Sequence, residues 1–493
     1  MSEKLPPQFY RDHSGGMVAE INETLGLPNV VKIGLNVDFD VEIGSAVTRL
    51  GTGIVGSQLQ AGKVVLGLHN FRDSDGANHA LLAVVNSSPD TTTNVWKVGG
   101  TAIRTGLTAN KKMRFISFLD SVLMINGADA EASYDGAAVI ITGGAFDLAN
   151  VPGANLCSFG LEWLDRVYLG GDTANPDRLY YSSTPVSGAI SWTSGNGYID
   201  IEPEDGGGGI KGLGKIPGFI LIFKERSMKR WNFDSAFPET LIDLGTPSHD
   251  SVVNAGGICA FFSASSRDTR GFYITNGERP TPISHDRLRN IKSWIDAIPV
   301  AAETNICGWG NSRFFAWSVG DLTVDGVAYT NVVLRWNRIL DQWSVRSYPS
   351  EFKCFSSYVD GSGHNTTVGG DDNGQVIEVD KTATYTDYNA QLINFEVQYH
   401  EENFGYNQSK SIGKQFVVNS KNMNGARLEI NTETEKYSVG EVDKRISVLE
   451  NKSDIKDNLF RFSLKGTVNG APGVLKEIEI PDVVINDTYD SSS

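Results

Sequence analysis

One phrase returns from about residue 60 to about residue 385, at intervals of roughly 35 to 50 residues: an apolar or aromatic run, a turn built on Gly, Asn or Asp, and a second run. In Arg114 to Gly127, Leu119-Asp120-Ser121 interrupts two strand-like runs, and Tyr134-Asp135-Gly136 begins another hairpin. Leu164-Asp165-Arg166-Val167-Tyr168-Leu169-Gly170-Gly171 is followed by Asn175-Pro176-Asp177-Arg178-Leu179-Tyr180-Tyr181-Ser182-Ser183 and closed by Ile190-Ser191-Trp192. Further instances are 218–223 with 228–231, 260–262 with 271–274, and 314–317 with 332–336 and 343–345. An isolated strand pair cannot bury both faces, but small sheets stacked in a closed ring can. The period therefore predicts an all-β chain with a β-propeller of about seven blades, the first near 60–104 and the last running from Lys353 to Val379. The 53 glycines against 17 prolines agree, since many tight turns are needed and no collagen period is present.

After residue 385 the pattern changes. Phe395, Val397 and Tyr399 alternate, as do Phe416 and Val418, Leu428 and Ile430, and Phe460, Phe462 and Leu464, which predicts a small C-terminal β-sandwich. The expected organisation is an extended N-terminal segment over 1–50, the propeller over 51–385, the sandwich over 386–485 and a flexible acidic tail over 486–493. In the first segment, Leu25-Gly26-Leu27-Pro28 reads as a turn and Asn36-Val37-Asp38-Phe39-Asp40 as a strand. This segment is expected to complete a blade made mostly by later chain. One short helix is predicted over 285–300, because Leu288, Ile291, Trp294, Ile295 and Ile298 share a helical face. Trp192, Trp231 and Trp336 sit in or beside strand-like runs and are expected between sheets.

The search for chemistry names no catalytic, cofactor-binding or metal-ligating residue. There is no GxSxG elbow. The run from Gly206 to Lys215 has glycines but no GxxxxGK[ST] ending, and reads as a flexible interblade loop. Ser266-Arg267-Asp268-Thr269-Arg270-Gly271 departs in spacing from the SxDxGxTW turns of propeller sialidases and lacks their tryptophan. The acidic turns Asp73-Ser74-Asp75-Gly76 and Asp371-Asp372-Asn373-Gly374 lack the EF-hand series and read as hairpin turns. His13, His69, His79, His249, His285, His364 and His400 show no metal or general-base spacing. Cys157, Cys259, Cys307 and Cys354 are far apart and read as reduced core residues. Sequons at Asn22, Asn86, Asn365, Asn407, Asn451 and Asn486 are read as chance matches, because the N-terminus lacks a secretory leader. No apolar run approaches the roughly 18 residues that span a bilayer, so no membrane insertion is expected and synthesis is placed in a cytoplasm. A formal charge of −16 argues against a surface that grips nucleic acid.

Three segments carry a family likeness: Gly15-Gly16-Met17 with Asn36-Val37-Asp38-Phe39-Asp40 and Thr48-Arg49-Leu50-Gly51; Arg166 to Asp172 with Asn175-Pro176-Asp177-Arg178-Leu179-Tyr180-Tyr181-Ser182; and Gly271-Phe272-Tyr273-Ile274-Thr275-Asn276-Gly277 with Pro282-Ile283-Ser284. With these the chain resembles the β-propeller virion proteins of tailed bacteriophages, especially the tail nozzle or tail hub proteins below the head-to-tail adaptor. The resemblance implies a structural protein and not an enzyme, with no cofactor: a homo-oligomeric ring, commonly of six copies, in the virion tail. Such a ring extends the DNA channel, retains the packaged genome and passes DNA on ejection without binding it tightly. Its implied partners are further copies, the head-to-tail adaptor or portal-side proteins, and tail fibre or spike proteins. Two alternatives stand beside it. One is a carbohydrate- or receptor-binding propeller of the tail tip or capsid surface, using tryptophans as stacking platforms. The other is a polysaccharide-degrading hydrolase, which needs two carboxylates facing each other across a cleft.

Overall fold

The computed structural model describes residues 3–20, 29–42, 44–76, 79–152, 157–235, 237–285, 290–359, 363–402, 404, 410–413, 415–423, 425–450, 455–457, 459–468 and 470–485. The Leu25 to Pro28 turn, Leu288, the tail 486–493 and the sequons at Asn22, Asn407, Asn451 and Asn486 lie outside the described residues.

Seven antiparallel sheets follow one another from Val65 to Val379. Blade 1 is formed by Val65–Arg72, His79–Asn86, Thr92–Lys97 and Ala102–Thr108. Blade 2 opens with Arg114–Phe118, blade 3 with Phe159–Trp163, blade 4 with Ile210–Ile216, blade 5 with Val253–Ala255, blade 6 with Cys307–Gly310 and blade 7 with Phe352–Val359. The first strand of each blade touches the first strands of its two neighbours, and that of blade 7 touches that of blade 1, so the ring is closed. The chain is thus a seven-bladed β-propeller followed by a β-sandwich.

Why the second strands read as unbroken apolar runs is now plain. In blade 1, Leu82 and Val84 face the core shared with Val122 and Met124 of blade 2, whereas Leu81, Ala83 and Val85 face Val368 and Val376 of blade 7. Blade 4 divides in the same way: Ile220 and Ile222 pack towards blade 3, and Leu221 and Phe223 towards Phe261 of blade 5. Each such side chain is buried, and each Val, Leu, Ile or Phe among them contributes about 1.5–3 kcal/mol of transfer free energy. The hairpin tips fit equally. Leu119-Asp120 and Leu164-Asp165 both take positive φ, the type I′ geometry that matches strand twist, and Asp325-Gly326 does the same in blade 6. Trp192, Trp231 and Trp336 are each 4% exposed, as expected for blade core.

Three features differ from the sequence reading. Residues 1–50 are not a separate extended segment. Glu3–Leu5, Gln8–Tyr10, Val37–Asp38 and Ala46–Thr48 are strands of the sandwich sheets, and Gly16–Met17 and Ile33–Leu35 pair with the outer strand of blade 6. Gly53–Ile54 then supplies the fourth strand of blade 7, pairing with Ile377 and Glu378. Among the described residues of 285–300, which leave out 286–289, helix α1 covers Lys292–Asp296, shorter than predicted, and a 3-10 turn follows at Val300–Asn305 after Pro299. Its apolar face is nevertheless right, since Ile291, Trp294, Ile295 and Ile298 are buried.

The sandwich packs Phe395, Val397, Leu428, Ile430, Phe462 and Leu464 of one sheet with Phe416, Val418, Leu475, Ile478 and Ile480 of the other. Its first sheet is continuous with blade 6, because Ile33–Leu35 bonds to Gln342–Ser347 on one side and to Gln391–Gln398 on the other. A buried charge network reinforces this seam. Asp38 accepts from Arg346 at 2.8 and 3.0 Å and from Arg335 at 3.1 Å, and Arg346 also binds Asp380 at 2.7 Å. Arg49, completely buried, is bidentate to Asp387 at 2.7 and 2.9 Å and donates to Asn36 and to the Ser347 carbonyl.

Candidate functional site at the propeller axis

In a propeller the first strands converge on the axis, so charged residues at their ends meet across it. Lys112 and Arg114 stand at the opening of blade 2, and Asp250 stands on the 3-10 turn His249–Ser251 that leads into blade 5. Arg114 Nε and Nη2 donate to the two carboxylate oxygens of Asp250 at 2.9 and 3.0 Å, and Lys112 Nζ adds a third bond at 2.8 Å. Arg114 Nη1 also donates to the Ser158 carbonyl of the segment entering blade 3, at 3.0 Å.

This bridge divides the axial space. A cavity of about 320 Å³ lies against Phe159, Asp172, Lys211 and Ser248, and one of about 190 Å³ lies against His69, Phe115, Cys307 and Lys353. Arg114 and His249 line both. Burial by itself would raise the Asp250 pKa, but Arg114 and Lys112 outweigh it and hold the carboxyl well below the usual carboxylate range. Asp250 is therefore an anion throughout the physiological range, and two cations on one carboxylate leave the bridge net positive.

His249 stacks on Phe159 with centroids 5.0 Å apart, and its Nδ1 accepts the Leu213 N–H at 3.2 Å, which leaves Nε2 protonated in the neutral ring. Burial, helped by Arg114, pushes its pKa down to about 4. His69, stacked on Phe115 and bonded to Ser117, and His400, bonded to the Val18 carbonyl, are also pushed down to about 4 by burial. Above about pH 6.5 folded and unfolded chains are both neutral at these rings; between 6.5 and 4 only the unfolded chain takes up protons. Stability is accordingly expected to fall as pH drops from 7 to 5, with a ceiling of about 1.4 kcal/mol per pH unit for each ring. Urea midpoints at the two pH values check this, and His249→Gln is expected to flatten the slope; equal midpoints for the native chain contradict it.

The thiols offer no nucleophile. Burial pushes Cys307 up to about 12 and raises Cys157, Cys259 and Cys354 further above the ordinary range, so all four are protonated and unreactive at neutral pH. Of the run from Gly206 to Lys215 read as a flexible interblade loop, only Gly206–Gly209 links blades 3 and 4; Ile210–Ile216 is the first strand of blade 4, and the start of the run is anchored. Asp205 accepts from the Gly207 N–H at 2.8 Å and binds the buried Lys224 and Lys229 at 2.7 and 2.9 Å. Asp371 Oδ1 accepts the N–H groups of Asn373 and Gln375, an Asx turn that closes a blade 7 hairpin. Asn86 is buried and bonded to Asp90, Asn110 and Thr93, which takes that sequon out of the surface. The axial bridge was not anticipated from sequence. Arg114 and Asp250 are 136 residues apart, and only ring closure brings them together.

No protein-family model and no curated protein matches the chain. Solved structures do align. BamB from Moraxella catarrhalis is 12% identical over 76% of this chain and 97% of its own, with a TM-score of 0.38. The AfRom2 CNH domain is 9% identical over 67% and 99%, with a TM-score of 0.39, and the N-terminal domain of Nup159 is 11% identical over 70% and 98%, with a TM-score of 0.36. At these scores the fold rests on the sheet pairing and ring closure already described.

Proposed function

We propose that the chain is a non-catalytic structural subunit of a tailed-bacteriophage tail, a nozzle or hub protein that forms a homo-oligomeric ring, extends the DNA channel, retains the packaged genome and passes DNA on ejection. The observation that carries this reading is the union of propeller and sandwich in one body, through a shared sheet and the Arg335/Arg346/Asp38 and Arg49/Asp387 pairs. A ring subunit that holds packaged DNA bears load, and a seam made of backbone ladder and desolvated ion pairs resists hinging. The Arg114–Asp250 pair links the openings of blades 2 and 5, and in this reading the DNA path runs between copies. The charge of −16 suits such a lumen, because carboxylates facing phosphates repel where Lys and Arg retain.

Cyclic symmetry lets one modest contact repeat until it closes, so assembly on the head-to-tail adaptor needs no adhesive chemistry. Six copies, contacts to adaptor or portal-side proteins above and fibres or spikes below, and a place in the virion tail complete the proposal. Its test is a particle assembled without this chain. Such heads are expected to package DNA and then lose it, giving nuclease-sensitive genomes and light particles on a density gradient. Heads that keep their full genome without the chain overturn the reading.

A further inference from the structure

The outer strands of blades 3 and 4 enclose a cleft of about 470 Å³, lined by Tyr181, Tyr198, Asp200, Trp231, Phe233 and Phe237. Its floor is fixed. Trp231 is 4% exposed and donates its indole N–H to the Ser235 carbonyl at 3.1 Å, and Phe233 packs edge-on to Tyr181 at 5.4 Å and tilted to Trp231 at 5.5 Å. Its lips are not covered: Tyr198 is 56% and Phe237 77% exposed. Two large rings left in water beside a preformed cleft mark a binding surface, not core.

The charges select the ligand. The Arg166 guanidinium lies 4.5 Å over Phe233 and that of Arg178 lies 3.8 Å over Tyr198, so a cationic ligand meets ring faces already stacked by cations. Arg178, outside the lining, is also bidentate to Asp200 at 2.7 and 3.1 Å, which fixes a carboxylate at the cleft and turns a ligand acid away. What fits is a neutral molecule with a flat apolar face and adjacent hydroxyl groups. The volume is within the range of about 300–1,000 Å³ that small-molecule sites occupy. We infer that this cleft binds a neutral saccharide, one ring face against the Phe237 lip and its vicinal hydroxyls donating to the Asp200 carboxylate. The inference stands independently of the ring assembly.

The test uses the full chain and saturation-transfer NMR with neutral mono- and disaccharides of glucose, galactose, mannose and N-acetylglucosamine, with sialylated and sulfated sugars for comparison. Saturation of the ring protons of at least one neutral sugar is expected. Phe237→Ala and Asp200→Asn, both at exposed positions, are each expected to weaken it about tenfold with an unchanged denaturation midpoint. Phe9→Ala, at another exposed ring, is expected to leave binding intact. No transfer from any neutral sugar, stronger binding of the anionic sugars, or binding unchanged in the Phe237→Ala/Asp200→Asn double variant overturns the inference. So does a concentration-dependent dimer that Phe237→Ala dissolves, which assigns the cleft to contact between copies.

Discussion

Asp38→Ala is expected to lower the unfolding free energy by about 1–3 kcal/mol, because two desolvated guanidiniums lose their shared anion while Arg346 keeps Asp380 and Arg335 keeps Asp40. Arg346 and Arg335 are 1% and 9% exposed at the side chain, so water cannot replace the carboxylate. Burial by itself raises the Asp38 pKa, yet the two arginines hold it below the usual range, which measures how strongly the folded chain prefers the ion. That stabilisation is present above the unfolded carboxyl pKa of about 3.9 and is lost as pH falls through the lower folded value. The mechanism makes a second, opposite expectation. Asp38→Asn keeps the volume and an acceptor oxygen for the two guanidiniums and is expected to recover part of the loss. Denaturation midpoints of the two variants decide the matter. An Asp38→Ala variant within about 0.5 kcal/mol of the native chain contradicts the role given to the seam.

Trp317→Ala is expected to cost about 3–5 kcal/mol through the cavity alone. The indole is completely buried in blade 6, stacks on Phe272 of blade 5 with centroids 4.2 Å apart, and donates to the Ser251 carbonyl at 3.0 Å. Losing that donor strands a buried carbonyl next to Asp250, a further cost of about 1–3 kcal/mol. Trp317→Phe separates the two effects, since it keeps a ring in the cavity and removes only the N–H. Thermal unfolding is expected to rank native above Phe above Ala, and equal melting temperatures for native and Ala contradict the packing account.

The blades were legible because each second strand buries both faces, which writes runs such as Leu221-Ile222-Phe223 into the sequence, and because turns such as Leu119-Asp120-Ser121 interrupt two strand-like runs. The sandwich was legible from alternation alone. The seam was not. Ile33–Leu35 is too short to show a period, and what fixes it is a partner strand on each side, at Gln342–Ser347 and Gln391–Gln398. Arg49 and Asp387 are 338 residues apart, and a single charge in a sequence says nothing of its partner. Trp317, Trp336 and Trp343 are buried between sheets, and the rings exposed beside a cleft are Tyr198 and Phe237.

The central claim, that this chain is a ring subunit on the DNA path, is tested most directly by imaging where it sits in the particle. A cryo-electron microscopic reconstruction of the tail is expected to place its propeller and sandwich as a closed ring about the tail axis, below the adaptor, with carboxylates facing the lumen. Isolated copies on the capsid surface or at fibre tips contradict it.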